Sequence, residues 1–401
     1  MKYFVLIPDG AADQAMPELD GRTPLESAFL PHFDAIARHG ELGLANFAPA
    51  HMFPGSDVAC MGLLGYDPAR NHTGRAPLEA ASLGVDLQPD EIAVRCNLVS
   101  VENGNMQSFS ADHIPTADAH EIVKTLQENL GTPSVRFVAG VSYRHLVILK
   151  GVTLDCVCEP PHEIVGRPVA GLKPKPASAA GAAGADLLNL LMTESINLIA
   201  RHPVTRARLA AGRHPPTQIW LWGYGPRPAL PSFQSLYGLK GAMISAVDLL
   251  RSIGLYAGMD LIAVPGITGY TDTNYAGKGQ YACAALKDHD LVVVHVEATD
   301  ESSHEGNVAA KIKALEDIDE KILCPVMSWL QAHGDHRILV APDHPTFCAT
   351  RVHSKDPVPY AMGGKGINYT GAMGYNEPEA RNQNRHVPDG YTLMRRLTGS
   401  T

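Results

Sequence analysis

Three aspartates and three histidines stand where a site for two divalent cations would need them. Asp9 lies in Ile7-Pro8-Asp9-Gly10, and Asp300 and His304 lie in the run from His295 through Val296, Glu297, Ala298 and Thr299 to His304. Asp343 and His344 lie in Ala341-Pro342-Asp343-His344-Pro345-Thr346, with His353 just beyond. These clusters follow the apolar, β-branched runs Tyr3 to Ile7, Leu291 to Val296 and Arg337 to Val340. Each therefore reads as the carboxyl end of a buried strand, which is where open α/β sheets place their chemistry. Every candidate ligand is carboxylate or imidazole and none is thiolate. That set favours a pair of divalent ions, manganese or zinc first and magnesium or cobalt next, over a structural thiolate zinc. Such a pair suits phosphoryl transfer. Singly, each ligand has a plainer reading: Asp9-Gly10 as a turn, Asp300 and His304 as solvated neighbours on one helix face, Asp343-His344 as a cap. Recurrence of the same event at several strand ends favours the ligand reading.

A nucleophile is offered by Pro54-Gly55-Ser56-Asp57. Residues 57 to 66 read as a short apolar helix, with Pro54 and Gly55 breaking the chain before it. A serine there faces the positive end of the helix dipole and its unpaired amides, a cradle for phosphate. Its structural alternative is a simple N-cap. With the ligands nearby, a cation can hold the hydroxyl as an alkoxide, and attack on phosphorus would leave a phosphoserine.

The elements that must position these groups alternate as in a doubly wound α/β sheet. Tyr3 to Ile7 and Leu42 to Phe47 read as strands and Pro31 to Arg38 as a helix. Further on, Met243 to Leu250 reads as a helix, Asp260 to Val264 as a strand and Asn274 to Leu286 as a helix. Leu291 to Val296 and Arg337 to Val340 read as strands around a long helix from about His304 to Leu330. Because Asp9 and Ser56 must meet Asp300 and Asp343, residues 1–73 and 232–401 are expected to form one catalytic domain. Residues 74–231 then form an inserted, smaller α+β cap. It has strand patterns at Ala93 to Val101, Val135 to Ala139, Tyr143 to Leu149 and Gln218 to Trp222, and helical ones at Ala117 to Leu130 and Asp186 to Ala200. Ala170 to Gly184 reads as a surface loop. The glycines and prolines at Gly74 to Pro77 and Pro228 to Gly238 are expected hinges. Closure of the cap would keep water from hydrolysing a phosphoserine.

The 401 residues, 45% hydrophobic, exceed what one core usually supports. A net charge of −9 with no polybasic tract argues against nucleic-acid or acidic-membrane partners, so the expected partner is a small phosphorylated substrate. The seven cysteines include one close pair, Cys156-Val157-Cys158, which lacks metal or redox spacing. They read as buried thiols of a reducing compartment. No apolar stretch approaches a membrane span, and removal of a leader would delete Asp9, so the cytoplasm is the expected location.

Taken in order, Ile7-Pro8-Asp9-Gly10, Pro54-Gly55-Ser56-Asp57-Val58-Ala59, Gly140-Val141-Ser142-Tyr143-Arg144-His145, Leu221-Trp222-Gly223-Tyr224-Gly225, the Asp300 segment and Pro342-Asp343-His344-Pro345-Thr346 resemble the archaeal-type cofactor-independent phosphoglycerate mutases of the alkaline phosphatase superfamily. The likeness runs along nearly the whole chain. It implies an alkaline-phosphatase-like sheet and one cation on Asp300, His304 and His353. The second cation falls to Asp9, Ser56, Asp343 and His344. The implied reaction interconverts 3-phosphoglycerate and 2-phosphoglycerate through phosphorylated Ser56. A bacterial branch with similar Gly-Val-Ser-Tyr-Arg-His and Leu-Trp-Gly-Tyr-Gly segments is labelled a proposed homoserine kinase. A kinase would need a nucleotide site, and the chain has no G-x-x-x-x-G-K-[ST] loop. A phosphatase or phosphonate hydrolase on the same core, and a non-catalytic metal-binding scaffold, are the remaining alternatives.

His113 is the candidate general acid/base, because imidazole as a residue type suits proton transfer near neutral pH and the resemblance places a histidine in this segment; Asp112 precedes it where many relatives carry glycine. Arg144 offers a fork for phosphate or carboxylate, and Lys240 matches a family lysine near the bridging phosphate. Arg75, Arg227 and Lys278 are weaker candidates.

Overall fold

The computed structural model describes residues 1–400, which form two compact units, Met1–His72 with Ala229 onward, and Thr73–Pro228. The first unit is built on eight strands: β1 Lys2–Pro8, β2 Glu41–Ala45, β3 Gly241–Ile244, β4 Asp260–Leu261, β5 Leu291–Val296, β6 His336–Val340, β7 Val358–Gly364 and β8 His386–Val387. They form one sheet in the order β4-β3-β5-β1-β6-β7-β2-β8. β1 pairs in parallel with β5 on one side and β6 on the other, and β7 alone runs antiparallel to its neighbours. Every residue of β5 and all but the first of β1 are buried. That is why both segments read as continuous apolar runs. The register sets Pro8 beside Val296 and Leu6 beside Val340, so the chain leaves three adjacent strands at one edge of the sheet.

Helices Pro31–His39, Tyr275–Asp288 and Val308–Ile318 pack their apolar residues against this sheet, in a core with Phe4, Leu6, Phe33, Val292, Val294, Leu315 and Ile318 fully buried. Three expectations are corrected. The segment Met243 to Leu250 is not one helix: Met243 and Ile244 end β3, and a helix begins at Asp248. A short apolar run does not distinguish a buried strand from a helix. Only Asp260 and Leu261 of the expected Asp260 to Val264 strand pair. The long helix is a series, Ala298–Glu305, Val308–Ile318, a π-helical turn Asp319–Leu323 and Cys324–His333. Gly306 ends the first of these at φ 72° and Asn307 caps the second through Ala310 N.

The second unit is an antiparallel sheet covered by helices. Glu91–Glu102 is flanked by Arg144–Lys150 and Gln218–Pro226, with Asn105–Ser108 and Val135–Val138 completing five strands. Helices Thr116–Leu130 and Ala182–Arg201 contribute Ile122, Leu126, Leu188 and Met192 to its core, beside Trp220 and Leu221. The expected loop Ala170 to Gly184 holds a two-residue strand, Lys175–Pro176, and a turn of 3-10 helix before the helix starts at Ala182.

Candidate metal centre

The three parallel strands β5, β1 and β6 deliver Glu297 and Asp300, Asp9, and Asp343 to the same edge of the sheet. Asp9 is fully buried, and the turn that follows it requires a glycine. Gly10 has φ 61°, and a Cβ there would lie 2.5 Å from Asp300 Oδ1 and 2.6 Å from Thr346 Oγ1. The Gly10 amide donates to Asp343 Oδ1 at 3.2 Å, tying the ends of β1 and β6 together. Thr299 Oγ1 donates to the Asp9 carbonyl, which joins β5 to them.

Asp300 and His304 lie one turn apart on the helix Ala298–Glu305, with His304 Nε2 3.1 Å from Asp300 Oδ2. His353, from the strand Val352–His353, brings its Nε2 to 3.6 Å from Asp300 Oδ1 and 3.0 Å from His304 Nε2. Ligand atoms of these three residues fall within 4.8 Å of one another, and the same holds for Asp9, Asp300 and His344. His344 Nε2 stands 3.5 Å from Asp9 Oδ1, 3.2 Å from Asp343 Oδ2 and 3.3 Å from Ser56 Oγ.

Ser56 is the first residue of the helix Ser56–Leu63, and Gly55 occupies the N-cap without a side-chain hydrogen bond. The N-cap reading of Ser56 is thereby removed, and its hydroxyl is turned to His344 instead.

The electrostatics fit divalent cations. Burial, reinforced by Asp343, Glu297 and Asp300, holds the Asp9 carboxyl well above its ordinary range. Glu297 is pushed up to about 8, by burial first and Asp300 next. Burial would also raise Asp300, but the hydrogen bond from His304 and the charges of His344 and His353 outweigh it and hold that carboxyl down. Four acidic groups crowded without solvent repel one another, and compensating positive charge stabilises their ionised forms. Asp9 Oδ1 and Glu297 Oε2 are buried with no hydrogen-bond donor. The two imidazoles make the same point. Nδ1 of His304 lies 2.9 Å from the Arg351 carbonyl and Nδ1 of His353 lies 3.0 Å from the Pro54 carbonyl, so each Nδ1 carries a proton and each Nε2 is the ring atom turned toward Asp300.

Besides Glu297, three residues at this edge escape a reading of the sequence as site residues. His295 contacts Asp9 Oδ2 at 2.7 Å, Cys60 Sγ lies 3.5 Å from Asp343 Oδ2, and Thr346 Oγ1 bonds Asp300 Oδ1. A lone histidine within Leu291-Val-Val-Val-His-Val296 was the available signal for His295.

Lys240 is not at this edge. It immediately precedes β3, at the opposite end of the sheet from Asp9, and its exposed Nζ pairs with Asp260 at 3.4 Å. Strand polarity alone therefore withdraws Lys240 from the site. Lys278 is the lysine on the site's side: it is fully buried in the helix Tyr275–Asp288 and its Nζ donates to the His295 carbonyl at 2.9 Å. Burial, opposed by Glu297, lowers its ammonium to about 8.

The remaining candidates lie in the second unit. Arg144 opens the strand Arg144–Lys150 on the surface, its guanidinium 5.7 Å from the Tyr143 ring centroid, and His113 packs edge-on against the same ring at 6.0 Å. Ala111, Asp112 and His113 all have left-handed backbone, at φ 47°, 55° and 46°. Asp112 thus occupies a conformation that suits glycine, and the run is held by Arg208 Nη2 donating to the Ala111 carbonyl at 2.8 Å and by Ser110 Oγ accepting from His113 N. Arg95, hidden from sequence reasoning in an apolar strand, is buried with its guanidinium 4.1 Å from the Trp222 ring and a 2.9 Å ion pair to Glu79. Burial lowers its pKa against the pull of Glu79, and the neighbouring charges of Arg75 and Arg144 lower it further. His162 packs on Trp222 at 5.3 Å, so this face is both basic and aromatic. Arg227 is drawn into a surface pair with Asp86 at 2.6 Å.

Fold and site together define an α/β protein whose parallel strand ends carry a cluster of carboxylates and imidazoles that could hold metal, beside a serine hydroxyl. The model of the family described as 2,3-bisphosphoglycerate-independent phosphoglycerate mutase matches residues 37–205. A relative of that name from Methanothrix thermoacetophila is 46% identical over 398 residues, covering 99% of both chains. The chain belongs to this family. A probable enzyme of the same name from Geobacter sulfurreducens is 44% identical, with 98% of both chains covered. Among solved structures, a Pyrococcus horikoshii protein superposes with a TM-score of 0.80 at 26% identity, covering 100% of this chain and 98% of that one. The cofactor-independent phosphoglycerate mutase of Thermoplasma acidophilum gives 0.71 at 27%, covering all of both chains.

Proposed function

We propose that the chain interconverts 3-phosphoglycerate and 2-phosphoglycerate without a bisphosphoglycerate cofactor, by way of a phosphoserine at Ser56. The observation that carries this reading is the Ser56 hydroxyl 3.3 Å from His344 Nε2, at a helix N-terminus beside the buried carboxylates. Asp300, His304 and His353 would hold one divalent cation, and Asp9, Ser56, Asp343 and His344 a second, manganese or zinc suiting these donors. When bound, the cations supply positive charge that favours the serine alkoxide and the phosphoryl oxygens.

Ser56 Oγ forms its bond to phosphorus as the bond from phosphorus to the glycerate oxygen breaks. The hydroxyl proton given up by Ser56 is balanced by one delivered to that departing oxygen, a role we assign to His113. Glycerate then offers its other hydroxyl to the phosphoserine and the steps run in reverse. The amides that begin the Ser56 helix orient the phosphoryl group. In the second unit, the face carrying Arg75, Arg95 and Arg144 has the charge and the forked donors to hold the anionic ends of glycerate or its phosphate.

The names of the similar proteins support the mutase reading and favour neither a homoserine kinase nor a phosphatase. No described helix is long and apolar enough to cross a membrane. All seven cysteines are free thiols, which supports a reducing cytoplasm as the location.

Phosphorus NMR of the manganese-loaded protein tests the proposal. With 3-phosphoglycerate alone, the 2-phosphoglycerate signal grows to equilibrium without ATP and without inorganic phosphate. Stoichiometric release of phosphate, or transfer seen only with homoserine plus ATP, would overturn it.

A further inference from the structure

His295 is a completely buried histidine inside β5, and every polar atom it owns is used. Its Nε2 lies 2.7 Å from Asp9 Oδ2 and its Nδ1 lies 3.1 Å from Ser245 Oγ, while the Ser245 hydroxyl accepts from Val247 N at 3.0 Å. Its carbonyl accepts from the buried Lys278 at 2.9 Å.

The direction of these bonds follows from the partners. An ionised Asp9 offers only acceptors, so at 2.7 Å the proton must sit on His295 Nε2. Nδ1 of the neutral ring is then an acceptor, and the one group facing it, Ser245 O–H, is its donor. The chain of donors therefore runs Val247 N–H to Ser245, Ser245 O–H to His295, and His295 N–H to Asp9. The end of the chain is asymmetric: Oδ2 of Asp9 is engaged while Oδ1 has no donor, 3.5 Å from His344 Nε2.

We propose that Ser245 and His295 form a positioning relay that fixes the Asp9 carboxylate and leaves Oδ1 as its cation-facing oxygen. The relay rests on the two-cation reading above. It acts through Asp9 and touches no substrate. Losing an outer partner of this kind weakens metal binding by about tenfold to a hundredfold.

The test is calorimetric titration of Mn²⁺ alone into chelator-stripped full-length protein. Asp9→Asn identifies the phase that depends on Asp9. Ser245→Ala keeps the ring but frees its tautomer, His295→Leu removes the donor, and His295→Gln restores an N–H near the Nε2 position. The relay predicts that Ser245→Ala and His295→Leu weaken the Asp9-dependent phase by about tenfold or more, that His295→Gln recovers part of it, and that the Asp300, His304 and His353 phase is unmoved. Ser245→Ala preserves the imidazole packing, so it reports even if His295→Leu folds poorly. Two wild-type phases left unchanged in Ser245→Ala would overturn the relay alone. A wild-type protein that binds one Mn²⁺, indifferent to Asp9→Asn, would overturn the relay and the two-cation reading together.

Discussion

His304 Nε2 and His353 Nε2 stand 3.0 Å apart, both aimed at the carboxylate of Asp300. With each Nδ1 proton spent on a backbone carbonyl, that approach is tolerable when one Nε2 carries a proton or when a cation lies between the rings. Proton and cation therefore compete for one place.

The competition has a defined sign. The hydrogen bond that His304 donates to Asp300 raises His304 to about 9 in the cation-free protein, whereas burial lowers His353 to about 4. His304 must give up its proton to bind a cation, so affinity at the Asp300 set should rise with pH until about 9. Its raised value also stabilises the cation-free fold below the ordinary imidazole range, and this contribution is lost as pH rises through about 9. Titration of Mn²⁺ across this range, repeated on His304→Ala, checks both. A pH-independent affinity would remove the competition.

Gly10→Ala should damage fold and site at once. The left-handed backbone costs about 1–2 kcal/mol for an alanine, and the added methyl would meet Asp300 Oδ1 at 2.5 Å. Denaturant unfolding should show at least this loss, together with weaker binding at the Asp300 set. An intact affinity would mean that Asp300 moves without consequence.

The two lysines should separate cleanly. Lys240→Ala removes an exposed contact at the far end of the sheet, so turnover and thermal midpoint should stay near wild type. Lys278→Met leaves the buried His295 carbonyl without its donor and should lose about 1–3 kcal/mol of stability. Side-by-side kinetics and melting curves decide it; a collapse of turnover in Lys240→Ala would return that residue to the site.

Strand ends were the legible part of this molecule. Strands buried on both faces must be apolar and β-branched, and an acidic residue at the end of such a run stands out, as Asp9, Asp300 and Asp343 do. What stayed hidden depends on pairing across the sheet. His295 is one polar letter in a strand until the register sets it beside Ile7, two residues before Asp9. Arg95 gains its partner only when Trp222 pairs opposite it. Lys240 entered as a match to a family lysine, and reading Met243 and Ile244 as helix hid the strand polarity that sets it at the far end of the sheet. The break at Gly306-Asn307 was written in the sequence as a stop and a cap, and the continuous apolar spacing beyond it masked both.

Ser56→Ala should abolish turnover while the cation-free protein melts within about 0.5 kcal/mol of wild type, because Ser56 caps nothing. Melting and kinetics on one preparation check this, and near-normal turnover would remove Ser56 from the chemistry.

The most direct measurement is made on the wild-type protein. Manganese-loaded enzyme is mixed with 3-phosphoglycerate, quenched in acid during turnover, digested and read by mass spectrometry. The account predicts one phosphoryl group on the peptide that carries Ser56, localised to that serine and absent from Ser56→Ala. Turnover to 2-phosphoglycerate with Ser56 unmodified, or with the phosphoryl group on another residue, would contradict it.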